Sequence, residues 1–150
     1  MNHIQQNSLL NDVLVNLHRS LLQYMGECSP WVPVDESEKM EQVKELIRFQ
    51  HSAVIQIEEL LEFRRTPVDF GLYPVEYTDL QFLSLSYLLK ESLLDAKADE
   101  KIILQAIEDS FDDVDAKSRL NQALEIQQEV IANLELLISK PKTSPQQTTS

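Results

Sequence analysis

One cysteine, two glycines and no Glu-x-x-His pair set the first limits on this chain of 150 residues. A lone Cys28 excludes an intramolecular disulfide, so the fold rests on its core, in keeping with a reducing cytoplasm. So few glycines leave little room for the tight turns of a β-rich fold. Basic residues are scarce: 13 Lys and Arg against 25 Asp and Glu give a net charge of −12. Phosphate contact needs clustered cations, so nucleic acid is not an expected partner. No stretch approaches the roughly 18 uncharged apolar residues of a membrane span. Met1 to Gln6 carry no basic n-region ahead of an apolar run, so no signal peptide is expected. Phosphate loops, G-x-G-x-x-G and G-x-S-x-G are absent as well. The expectation is a soluble, cytoplasmic, acidic domain.

What is present is helical periodicity. Leu10, Leu14, Leu17, Leu21, Tyr24 and Cys28 recur at spacings of three and four, which predicts one helix from Ser8, its N-cap, to Cys28. Pro30 and Pro33 end it. Asp35 with Glu38 reads as a capping box opening a second helix, with Met40, Val43, Ile47, Gln50, Val54, Ile57 and Leu61 as its stripe. That helix ends near Arg64 and Arg65. Residues 66–76 hold two prolines and a glycine yet are rich in Val, Leu, Phe and Tyr, which suggests an ordered crossover along the bundle. Thr78 with Gln81 predicts the start of a third helix, apolar nearly all round, and Ala98 to Ser110 extends it or forms a short kinked piece. The last helix is expected from about Asp115 to Ser139, with Leu120, Leu124, Gln127, Ile131, Leu134 and Ile138 inward. The domain is then 1–139, an all-α, up-down four-helix bundle of two hairpins. Lys140 to Ser150 make a polar tail expected to be disordered.

Chemistry can reside only on polar residues that face the core, because a buried polar group must be satisfied. Ser20, Tyr24, Gln50, His51, Tyr87 and Gln127 qualify, with His18 at the edge of its stripe. The sharpest reading gathers Glu27, His51, Glu58 and Glu91 into a carboxylate-rich site for iron or manganese, since hard ions want anionic oxygen. The last helix offers such a centre nothing: Glu125 and Glu129 lie off its stripe. The plainer expectation has His51, Gln50 and Gln127 hydrogen-bonded to one another in the interior. His18 is expected to donate to a backbone carbonyl, and Cys28 to be an inert thiol. The acidic run Asp109 to Asp115 lacks the glycine and distal glutamate of a calcium loop.

Three stretches carry a resemblance. They are Leu21-Leu22-Gln23-Tyr24 followed by Ser29-Pro30-Trp31, the crossover Val68-Asp69-Phe70-Gly71-Leu72-Tyr73-Pro74, and the entry Tyr77-Thr78-Asp79-Leu80. Together they resemble the ferritin-like superfamily, near the rubrerythrin-type branch, and in particular small bacterial members of it. The resemblance implies the ferritin-like bundle with its long crossover between helices two and three. In metal-bearing relatives it would also imply oxidation of ferrous iron or reduction of peroxide. Where such a relative would place histidine after glutamate on the last helix, this chain has Glu129-Val130-Ile131-Ala132-Asn133, so the resemblance carries the fold and not the activity.

The first functional expectation is therefore a structural or protein-interaction module without a metal. It would be a homodimer joined through Phe82, Leu85 and Leu89 on the doubly apolar third helix, and it would act on a protein partner that the sequence does not identify. The alternatives are a metal-binding oxidoreductase or metal store using the four residues above, and a bundle binding a small apolar ligand near Tyr24, Tyr87 and Gln50.

Overall fold

A computed structural model describes residues 2–140, the side chain of Gln81 excepted, and every regular element among them is helical. The expected tail past Lys140 lies outside the described residues. Among them no helix is long and apolar enough to cross a membrane.

Helix α1 (His3–His18) begins earlier than the Ser8 expected of it. Asn2 accepts from the Gln5 N–H at 2.8 Å, while the Gln5 side chain accepts from the Asn2 N–H at 3.1 Å. This reciprocal cap satisfies two amides that the helix itself leaves open. The expected single helix to Cys28 is in fact two. After His18 the chain leaves helical geometry, and Ser20 (φ −67°, ψ 161°) caps a second helix, α2 (Leu21–Cys28). The Ser20 hydroxyl accepts from the Gln23 N–H, and an Asp95 carboxylate oxygen accepts from the Leu21 N–H at 2.9 Å. A carboxylate from a distant helix thus takes up an amide that the break exposes, which a local stripe cannot reveal.

Helix α3 (Ser37–Phe63) starts where expected, but no side chain caps it. Instead a 3-10 turn, Val34–Glu36, leads in, with the Glu36 N–H donating to Pro33 O at 3.0 Å. Helix α4 (Leu85–Asp109) starts later than Thr78. Thr78 donates its hydroxyl to Val75 O at 2.6 Å within one 3-10 turn, a second turn covers Leu80–Phe82, and Ser84 caps α4 by accepting from the Tyr87 N–H. Residues Ala98 to Asp109 continue α4 without a kink element. Helix α5 (Val114–Ser139) is capped by Asp113, which accepts from the Ala116 N–H at 3.1 Å.

Two apolar clusters give the helix directions. One joins Leu10 and Leu14 of α1, Ile57 and Leu61 of α3, Ile103 of α4 and Leu120 of α5. The other joins Leu22 and Met25 of α2, Val43 of α3, Leu88 of α4 and Leu134 of α5. Helices α3 and α4 therefore run parallel, from the second cluster to the first, and α1–α2 and α5 run against them. Residues 64–84 must return the whole length of α3, about 40 Å at 1.5 Å per residue. α3 packs on α5 and α5 on α4, while α1 and α2 each touch both α3 and α4.

The doubly apolar face expected of the third helix is not a surface. Leu85 and Leu89 are each 1% exposed and belong to the second cluster, so of the expected self-association patch only Phe82, at 78%, faces outward. Helix α4 turns Leu85, Leu88, Leu89, Ser92, Ala96, Asp99 and Ile103 inward, and Leu94 outward.

Candidate functional site

Polar side chains gather where α1 breaks into α2, and the crossover roofs that place. Asn11 exchanges two hydrogen bonds of 3.0 Å with the backbone of Asp69. Arg19 donates through Nε to Phe70 O and Gly71 O, both at 3.1 Å, and its guanidinium lies 4.6 Å above the Tyr73 ring. Gly71 is required: its φ is +70°, and a Cβ would stand 2.6 Å from Val15 Cγ1. Beyond it, Tyr24 of α2 meets Tyr73 at 5.1 Å and Tyr77 at 5.4 Å between ring centroids.

Beneath the roof a chain of amides crosses the interior between the two apolar clusters. Gln50 Oε1 accepts from the Ser20 hydroxyl at 3.2 Å and from Gln23 Nε2 at 2.9 Å. Gln50 Nε2 donates to Gln127 Oε1 at 3.2 Å, and Gln127 Nε2 donates to Ala96 O at 3.0 Å. Gln50 and Gln127 are wholly buried, and the chain uses every polar atom of both. The expected Gln50–Gln127 pairing is present, but His51 is not part of it.

To one side of the amides stands an acid pair, Asp95 and Asp99, one turn apart on α4. Burial raises the Asp95 carboxyl above its ordinary range, against the pull of the Leu21 N–H. Asp99 is 5% exposed, its Oδ2 is buried without a hydrogen-bond partner, and burial together with the charge of Asp95 pushes it up to about 8. Tyr77 is pushed up to about 12, by burial first and then by Asp95 and Asp99. Asp99 thus holds its proton far above the ordinary carboxylate range, next to Asp95. The corner can hold a proton, or answer a positive charge brought to it.

To the other side His18 faces His51, with ring centroids 5.6 Å apart, and Phe70 of the crossover lies 5.2 Å from His18. His18 Nδ1 is buried with no partner, so the expected bond to a backbone carbonyl is not made through that atom. Burial, then the charges of Arg19 and His51, lower the His18 imidazolium below its ordinary range, and Glu27 opposes them.

The four residues expected to share a metal do not come together. Glu27 is on the exposed side of α2, 3.9 Å from the Arg19 guanidinium. Glu58 lies two turns along α3 from His51, about 10 Å away by helical rise, and Glu91 is half-buried on α4. Among the described residues no three His, Cys, Asp or Glu side chains could hold one ion. Nor do Tyr24, Tyr87 and Gln50 line a common ligand cavity. Tyr24 is packed on two other tyrosines, Gln50 is engaged by three polar partners, and Tyr87 is 48% exposed. Cys28 is half-buried, and burial pushes its thiol up, away from a reactive thiolate.

Sequence reasoning missed Asp95, Asp99, Gln23 and Tyr77. A signal for Asp99 did exist: with Ala96, Ile103 and Ala106 it forms a stripe spaced by three and four. The misplaced helix start hid that register. Compared with protein-family models, curated proteins and solved structures, the chain finds no match.

Proposed function

We propose that the protein is a ferritin-like helical bundle whose mid-core is closed by amides, and that it works as an interaction module which pairs with a second copy of itself. The parallel run of α3 and α4 and the full-length crossover between them support the ferritin-like reading, since two antiparallel hairpins joined in this way are its connectivity. The closed chain of Ser20, Gln23, Gln50 and Gln127 supports a core that is stabilised by its own hydrogen bonds.

The observation that carries the pairing is at one end of the molecule. Trp31 is 77% exposed, Val34 91% and Phe82 78%. Trp31 and Phe82 border a hollow of about 460 Å³ that Pro33, Leu83 and Leu85 also line, with Glu36 and Ser84 on its polar side. A projecting aromatic ring and a largely apolar hollow on one patch suit a two-fold interface, because each copy offers the other both the knob and the hole. Burying rings of this size also supplies the largest apolar area per residue that a surface can offer.

Sedimentation velocity over a wide concentration range tests the reading. The wild type should reach the dimer mass, and Phe82→Asp should return it to monomer. Leu94→Asp, on the outward face of α4, should leave the dimer intact. A wild type that stays monomeric, or a dimer indifferent to Phe82→Asp, overturns the proposal.

A further inference from the structure

We propose that His18 and His51 form a two-imidazole binding site for a borderline divalent ion of the zinc class, at the edge between α1 and α3 under Phe70 of the crossover. The site is separate from the amide chain, and it does not depend on the pairing of two copies.

Two observations carry it. The first is spacing. Zinc sits about 2.0–2.1 Å from an imidazole nitrogen, so two rings sharing one tetrahedral ion have centroids roughly 5 Å apart. The rings of His18 and His51 stand at 5.6 Å and are tilted by 50° rather than stacked. The second is an unused acceptor: His18 Nδ1 is buried and nothing in the protein donates to it. A neutral imidazole with a lone pair left over is the form in which histidine binds a metal. The neighbouring charges oppose one another: Arg19, bound to Phe70 O and Gly71 O and lying over the Tyr73 ring, acts against a cation at His18, and Glu27 on α2 acts for one.

The donor set decides the class of ion. Imidazole nitrogen suits zinc, copper and nickel, whereas magnesium and calcium want carboxylate oxygen, which does not join these rings in a group of three. Water completes the coordination shell. An ion there would tie the end of α1 to the middle of α3, on the face where the crossover passes. A histidine binds a metal through a neutral ring nitrogen. Arg19 at the end of α1 favours the neutral form of His18, and Glu27 on α2 opposes it.

The experiment uses tag-free protein carrying His3→Gln, so that the third histidine takes no part. Zinc chloride is titrated by calorimetry, while the histidine ring resonances are followed by NMR. One zinc per chain is expected, with the His18 and His51 rings shifting together and magnesium giving no response. His18→Gln and His51→Gln should each weaken binding at least roughly tenfold, the lower bound for losing even an outer partner of a ligand. Circular dichroism of the metal-free variants checks that they fold. If either does not, the paired ring shifts in the His3→Gln protein decide the matter alone. No zinc uptake, uptake without movement of these two rings, or undiminished affinity in folded variants overturns the proposal.

Discussion

The α3–α5 seam and the α1–α2 junction are built from similar amphipathic helices, yet they solve different problems. Along the seam, Val43, Val54, Ile57, Leu61, Leu120, Val130 and Leu134 close on one another with no exposure. The apolar faces match by periodicity, the buried Gln50–Gln127 hydrogen bond crosses between them, and an Arg119–Glu59 ion pair lies at the edge. At the junction a helix stops in mid-course, and the freed backbone and the turn in the chain are met by Ser20, Asp95, Arg19 and a crossover held on carbonyl oxygens. The seam draws its stability mainly from apolar area, and the junction mainly from specific hydrogen bonds. The first should therefore be sensitive to volume and indifferent to pH, and the second the reverse.

The largest expected effect is on the seam. Leu134 is wholly buried, and Leu134→Ala should cost about 2–5 kcal/mol, the lost transfer energy plus the cavity left behind. Urea denaturation at several pH values measures it. The loss should be the same at each pH, because no ionising group is touched. A loss that varies with pH would mean that the seam and the junction are not energetically separate.

The next effect is at the junction and should show the opposite behaviour. Burial and the charge of Asp95 hold Asp99 at about 8, against an ordinary value of 3.8. The folded protein then binds this proton more tightly than the unfolded chain does. Stability from this group is complete below the unfolded value, is lost as pH rises, and is gone above the folded value. Between about pH 4 and about pH 8 this group should withdraw a few kcal/mol from the wild type's stability. Asp99→Asn keeps the shape and removes the proton, so its profile should be flatter over that window and its stability should exceed the wild type's above it. Parallel profiles for the two proteins would show that Asp99 is not the group responsible.

Much of the seam was legible in the sequence, because its cause is local. The stripe Met40, Val43, Gln50, Val54, Ile57, Leu61 is inward as expected, as are Leu120, Gln127, Ile131 and Leu134. The junction was not legible, because its causes lie far off in the chain. The helix break at Ser20 had a local signal in a serine with Gln23 three residues on, but the acceptor of the freed Leu21 N–H is Asp95, some seventy residues away. Tyr77 belongs to the site only because the crossover carries it past Asp95 and Asp99. His18 and His51 could be judged only singly until the crossing of α1 over α3 was known. The dimer patch came apart for a smaller reason: α4 packs Leu85 and Leu89 against the second cluster, and Phe82 stays outside it on a 3-10 turn.

The start of α4 gives the smallest and most local test. Both Thr78 and Ser84 have a hydroxyl suited to an N-cap, and only Ser84 is used as one. Its Oγ accepts from the Tyr87 N–H at 3.2 Å, whereas the Thr78 hydroxyl donates to Val75 O in an exposed turn. An N-cap serine replaced by alanine loses the acceptor for an amide that the helix cannot otherwise satisfy, which costs about 0.5–2 kcal/mol. Ser84→Ala should fall in that range by urea denaturation. Thr78→Ala removes only an exposed turn contact and should stay within roughly 0.5 kcal/mol of the wild type. The order of the two variants matters more than either value. If Thr78→Ala were the costlier, Thr78 and not Ser84 would be the residue that opens α4 in solution.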